Sequence, residues 1–197
     1  MMTSIMEIFI TGLLPILIII VLVLINGFFV AAEFSLIGMP KVTIEKLAQE
    51  GSGTAKKISN ILNDPKQQDK YIATSQLGIT LASLGLGMYG EHVIAEWLLQ
   101  IIGQKGIVHI DELTAHGIAT VSAIVLLSYM HVVIGEMVPK SIALQYTQRA
   151  AFIITPLMSV IQLILYPLVW FFHGIGSFLL KLMGIHREKE GHESYRG

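Results

Sequence analysis

Gly135-Glu136-Met137-Val138-Pro139-Lys140 closes a long apolar run, and these residue types suit one chemistry, the holding of a hard cation by oxygen. Proline has no amide hydrogen, so Pro139 is expected to leave the carbonyl of Gly135, four residues earlier, without its helical partner. A freed carbonyl inside a bilayer is costly unless it lines a cavity or meets a cation. Glu136 stands beside it, and an acid inside an apolar run is rare and usually functional. The plain alternative is a proline that marks a helix end, with Lys140 reaching for the interface.

Two other stretches carry polar groups of the same kind. In the first apolar run, Asn26-Gly27 interrupts the hydrocarbon and Glu33 follows near its end. Ala31, Ala32 and Ser35 are small enough for close helix contact, and Pro40 is expected to free the carbonyl of Leu36. In the second run, Ser75, Ile79 and Ser83 share one helix face at intervals of four, with Gln76, Thr80 and Gly87 on the adjoining one. Such a stripe either glues helices together, at about 0.6 kcal/mol per hydrogen bond, or supplies hydroxyl and amide ligands. Glu33 likewise reads either as a ligand or as a packed residue reaching the cytoplasmic interface. His131 stands one helical step before Gly135. A lone histidine in a membrane is more commonly a hydrogen-bonded packing residue than a ligand. Together, Glu33, the Ser75/Gln76/Thr80 cluster and Gly135/Glu136 come from three segments. Oxygen ligands of this type suit magnesium, calcium or sodium over softer metals.

The elements that must position these groups are membrane helices. Of 197 residues, 53% are hydrophobic and 14% charged, too apolar for an ordinary soluble domain. A net charge of −1 gives no reason to expect a nucleic-acid partner. The absence of cysteine excludes disulfides, thiolate metal sites and cysteine nucleophiles. Four apolar segments, 8–37, 71–102, 115–138 and 150–183, each exceed the roughly 20 residues needed to cross the hydrocarbon core. The lysine-rich stretch 41–70 is expected in the cytoplasm, which puts the N-terminus outside. A full crossing by the fourth segment would carry Lys181, Arg187 and Lys189 outside, against the same rule, and Pro156, Pro167, Gly174 and Gly176 break or kink helices. The expected fold is an all-α membrane protein. It has three transmembrane helices, cytoplasmic juxtamembrane helices in the 40–68 insert, and a re-entrant or interfacial C-terminal helical hairpin. Residues 1–185 are expected to form the membrane domain, and the polar ending 186–197 reads as a linker cut before a missing soluble part.

Asn26-Gly27-Phe28-Phe29-Val30-Ala31-Ala32-Glu33-Phe34-Ser35, Gln76-Leu77-Gly78-Ile79-Thr80 and Gly135-Glu136-Met137-Val138-Pro139-Lys140 resemble the transmembrane domain of the CNNM/CorC family, in its bacterial CorC-like branch. Their order, their spacing and the lysine-rich insert match as well, so the resemblance covers nearly the whole chain. It implies a multi-pass protein of the cell's inner (plasma) membrane, with the N-terminus outside and the C-terminus cytoplasmic. It also implies a homodimer, a cytoplasmic CBS-pair domain in the full-length protein, and magnesium efflux coupled to sodium. By position, the family's ion site falls on the side-chain oxygen of Ser75 and the backbone carbonyl of Gly135. Two positions depart from the pattern. Val30 stands where magnesium-transporting relatives tend to have serine, and Ile79 where they have asparagine one turn beyond Ser75. Gln76 and Thr80 are the expected replacements.

The leading expectation is a secondary transporter that exports divalent cations, with Mg2+ as the substrate ion and Na+ as the coupling ion. An inward-facing acidic cavity would be formed by Glu33, Ser75, Gln76, Thr80 and Gly135/Glu136, with helix breaks at Asn26, Gly27 and Pro139. Its partners would be the lipid bilayer, the divalent cation and a second copy of the chain. The alternative is a non-transporting membrane scaffold or sensor that dimerises and regulates cation homeostasis through the cytoplasmic domain. An enzyme is not expected, since His-Glu-x-x-His, Gly-x-Ser-x-Gly and paired aspartates are missing from the sequence.

Overall fold

The computed structural model describes residues 12–104 and 112–183, and among the described residues every regular element is helical. Helix α1 (Leu14–Ile37) carries a proline in its first turn, where the missing N–H would have had no helical partner in any case. Its 24 residues span about 36 Å, enough for the hydrocarbon core. Past its end the Gly38 N–H returns to the Phe34 carbonyl at 3.0 Å, and the Met39 N–H takes the Leu36 carbonyl at 3.2 Å. The Leu36 oxygen, expected to be free, is therefore satisfied inside the closing turn.

Two short amphipathic helices follow, as the insert's pattern predicts: α2 (Lys41–Gln49) and α3 (Gly53–Asn63). Gly51 turns the chain between them at φ +99°, a left-handed conformation that a side chain would strain. Ser52 caps α3 by accepting from the Ala55 N–H at 3.3 Å. Ile44, Ile58 and Ile61 turn inward to a core shared with Leu36, Tyr71 and Met158, while Lys41, Lys46, Lys56 and Lys57 stay exposed.

Helix α4 (Pro65–Gly85) begins earlier than the apolar run because Asp64-Pro65 is a start signal. Asp64 accepts from the Lys66 N–H at 2.9 Å. Tyr71, Thr74, Ser75, Gly78 and Ala82 are its buried residues, recurring at helical spacing along the face that packs against α1. Gly78 is required there, because a Cβ would overlap the ring of Phe29. A π-helical turn, Leu86–Gly90, leads into α5 (Glu91–Gln104). Helix α5 packs on α6 (Glu112–Met130) around an apolar cluster that includes Ile19, Val23, Val93, Ile94 and Leu127.

Helix α6 runs straight into a π-helical stretch, His131–Met137, and then α7 (Val138–Gln145). Pro139 therefore does not end the helix. It sits in the first turn of α7, and the wider π turns absorb it, with the Val138 N–H reaching back to the Val133 carbonyl.

The C-terminal hairpin is not formed. Helix α8 (Thr147–Leu182) is a single element of 36 residues that continues through Pro156 and Pro167, and Gly174 and Gly176 remain helical within it. An internal proline removes one hydrogen bond and bends the axis, but reversal needs a turn that these residues do not make. Among the described residues, three helical stretches are long and apolar enough to cross a membrane: Leu14–Ile37, Leu113–Gln145 and Thr147–Leu182. The first and third expected crossings are among them. The stretch 71–102, divided between α4 and α5, falls short of that apolarity, and the C-terminal segment meets it. Helix α4 is the more polar because it opens on Lys66-Gln67-Gln68-Asp69-Lys70 and carries Thr74, Ser75 and Gln76 after them. Exposed Leu24, Val125 and Leu163 belong to the apolar surface that lipid covers. The ending 186–197 lies outside the described residues.

Candidate functional site

The Gly135 carbonyl is the meeting point of three helical elements. Its own backbone belongs to the π stretch, yet its oxygen accepts a hydrogen bond from Asn26 Nδ2 of α1 at 2.8 Å. The carbonyl expected to be free is therefore capped by a side-chain amide. Ser83 of α4 donates to Asn26 Oδ1 at 3.2 Å, and Ser83 Oγ also lies 3.2 Å from His131 Nε2. Asn26 is only 1% exposed, so every polar atom it carries must find a partner in the protein.

Small residues let these groups approach. A Cβ on Gly27 would lie 2.8 Å from Pro139 Cγ, and one on Gly135 would lie 3.1 Å from His131 Cδ2. Helix α1 thus crosses the π stretch at close quarters, with Gly27 against the Pro139 ring and Asn26 against the Gly135 carbonyl four residues before it. The proton arithmetic then fixes a direction. A carbonyl only accepts, so Asn26 must present Nδ2 to Gly135 and Oδ1 to Ser83. Ser83 spends its single proton on that oxygen, which leaves His131 Nε2 as the donor to Ser83. His131 is a hydrogen-bonded residue at the end of this chain.

A second polar set lies toward the other end of α1. Glu33 is half-buried, and its carboxylate accepts from the Gln76 side-chain amide. Gln76 and Thr80 open on a cavity of ≈ 410 Å³ between α4 and α8, with Leu77, Val169, Phe172 and Ser177 along its walls.

Ser75 and Glu136 join neither set. Ser75 is fully buried, and its hydroxyl turns back to the Tyr71 carbonyl at 3.1 Å. Thr80 turns back to the Gln76 carbonyl at 2.9 Å. Glu136 is exposed. Ser75 precedes Ser83 by eight residues, about 12 Å of helix, so the structure does not bring it to the Gly135 oxygen. The described contacts form a hydrogen-bonded knot around Gly135 and a separate groove beside Gln76. Val30 is 2% exposed, and Ile79 packs against the apolar core. Packed hydrocarbon thus fills both positions where the family pattern has ligand oxygens.

Ser83 was missed as a partner by sequence reasoning, although it stood on the Ser75/Ile79 stripe. Asn26 was marked only as a helix break. Among the described residues no group of three or more His, Asp and Glu is arranged to hold a metal. Any ion at Gly135 would be met by neutral oxygens, a set suited to hard cations that keep part of their water.

Comparison with known proteins agrees with this architecture. The CNNM family, described as the Cyclin M transmembrane N-terminal domain, matches residues 17–196. UPF0053 protein YhdT of Bacillus subtilis (strain 168) is 31% identical over 170 residues, covering 86% of this chain and 36% of the relative. UPF0053 protein YugS of the same bacterium is 33% identical over 178 residues, covering 90% and 40%. Uncharacterized protein Rv1841c of Mycobacterium tuberculosis (strain ATCC 25618 / H37Rv) is 31% identical over 165 residues, covering 84% and 45%. The chain spans less than half the length of these relatives. The family match takes in α1, the juxtamembrane insert, the π stretch and α8 together, and the chain is accordingly a multi-pass membrane protein that belongs to the CNNM transmembrane-domain family.

Proposed function

We propose that this domain moves a divalent cation across the membrane, exporting Mg2+ with Na+ as the coupling ion. One observation carries the reading: α1, α4 and the π stretch converge on the Gly135 carbonyl through Asn26 and Ser83 within an otherwise apolar interior. Irregular backbone is tolerated at membrane depth where it is buried in protein or lines a cavity, and secondary transporters use such oxygens for their ions. Glu33 and the groove beside Gln76 supply the entrance, a negative charge next to space for a hydrated ion. The exposed lysines of α2 and α3 favour the cytoplasm for that end, which makes the entrance inward-facing and the N-terminus external. A homodimer in the plasma membrane and a cytoplasmic CBS-pair domain complete the reading.

A second reading draws on the closure of the Gly135 network, whose oxygen already has a donor. A satisfied knot of this kind suits a scaffold or sensor that holds three helices in register and passes a signal to a soluble part. Purified chain in liposomes containing a magnesium-sensitive dye separates the two. Transport predicts magnesium flux that Glu33→Gln reduces several-fold. Absence of flux from wild-type protein that is correctly folded and inserted refutes it, and a weaker dimer in Gly135→Ala then supports the scaffold.

A further inference from the structure

The position a cation would take on the Gly135 carbonyl is held by the amide of Asn26, and that amide carries an oxygen at its other end. Its Nδ2 lies 2.8 Å from the Gly135 oxygen, a donor whose partial positive charge satisfies the carbonyl and repels a cation from it. Its Oδ1 is held by the Ser83 hydroxyl at 3.2 Å. The two bonds are not equivalent: the one to the carbonyl is short and fully buried, while the one to Ser83 is longer and only part-buried.

We propose that Asn26 is a two-position gate and the ligand that replaces the family's missing oxygens. In the ion-free position Nδ2 caps Gly135. Turned over about its terminal bond, the same side chain aims Oδ1 beside the Gly135 oxygen, so that two neutral oxygens from two helices face one hard cation. Ser83 accepts from Nδ2 in that position, since a hydroxyl can serve either end of an amide. Three features of this chain favour Asn26 over the residues named by the family pattern. Val30 and Ile79 are packed hydrocarbon. Ser75 spends its hydroxyl on its own helix. Asn26 alone among the described polar side chains donates directly to the Gly135 carbonyl. The proposal rests on the transport reading, since it names the ligand and the gate of that same site.

Thermal unfolding of the full chain in lipid nanodiscs, titrated with MgCl2, tests it. Wild type should show a saturable rise in melting temperature. Asn26→Asp, whose carboxylate cannot donate to the carbonyl and attracts a cation, should half-saturate at about tenfold lower magnesium. Asn26→Leu, with no oxygen to offer, should need more magnesium than wild type. Equal half-saturation in all three overturns the gate while leaving the transport reading intact. No response to magnesium in any of the three overturns both. Should Asn26→Asp fail to fold, Asn26→Leu alone decides: it should raise the half-saturating magnesium about threefold, and an unchanged midpoint overturns the gate.

Discussion

Two stretches of α4 carry the same residue types and use them in opposite ways. Between Thr74 and Thr80, hydroxyls fold back onto their own helix, to the carbonyls of Lys70, Tyr71 and Gln76. Two turns past Ser75, Ser83 instead reaches across to Asn26 and His131. The difference is set by what α1 presents opposite each residue. Facing Gly78 is the ring of Phe29, which offers no polar partner, whereas facing Ser83 is an amide. A hydroxyl in a membrane takes its own i−4 carbonyl when no better acceptor is near. The lesson is that a polar stripe becomes a site only where the neighbouring helix has an answering group.

Breaking the inter-helix contact should cost most. Gly78→Val pushes a branched side chain into Phe29 and should destabilise the chain by about 3 kcal/mol in mixed-micelle unfolding, since overpacking of this kind is poorly relieved. Phe29→Ala in the same chain should recover part of that loss. Next comes Asn26→Leu, which strands the Gly135 carbonyl and the Ser83 hydroxyl and should cost about 2 kcal/mol. The comparison itself is sharpened by two double-mutant cycles. Asn26 and Ser83 should couple by about 1 kcal/mol, whereas Asn26 and Ser75 should be additive within about 0.5 kcal/mol. Equal coupling in both cycles would erase the distinction between the two stretches.

The smallest effect lies at the start of α4. The Gln67 side chain, together with the Lys66 N–H, stabilises the charged form of Asp64 and holds its carboxyl below the ordinary value of 3.8. Its contribution is therefore fully present above pH 3.8 and is lost as pH falls through the lowered value. Asp64→Asn should lower the neutral plateau slightly and flatten the acid limb, so that the two profiles converge at low pH. A variant whose acid limb matches wild type would remove Asp64 from the account.

Much of this was legible in the chain. The 40–68 insert is expected to hold juxtamembrane helices, and α2 and α3 lie within it. Gly135 and Pro139 marked the irregular stretch correctly in place, although its form is a π-helix and not an end. What could not be read was pairing across the fold. Asn26 and Gly135 are separated by 109 residues, and nothing local to either one says which helix face will meet the other. The hairpin expectation failed for a different reason. Lys181 argues for the cytoplasmic side of the membrane, and Pro156 and Pro167 interrupt the helix, but bending an axis and reversing it are different operations.

Helix α8 holds 36 residues, a rod of about 54 Å set against a hydrocarbon layer of about 30 Å. It cannot stand upright in such a layer without driving apolar side chains into water at one end, so it must recline or leave a terminus among the headgroups. Its first half is anchored by Ala151, Ile154 and Met158 to the core it shares with α2 and α3. The angle of its second half, which walls the groove beside Gln76, is then a function of bilayer thickness, and a change of lipid length acts on the juxtamembrane helices as a lever acts on its fulcrum.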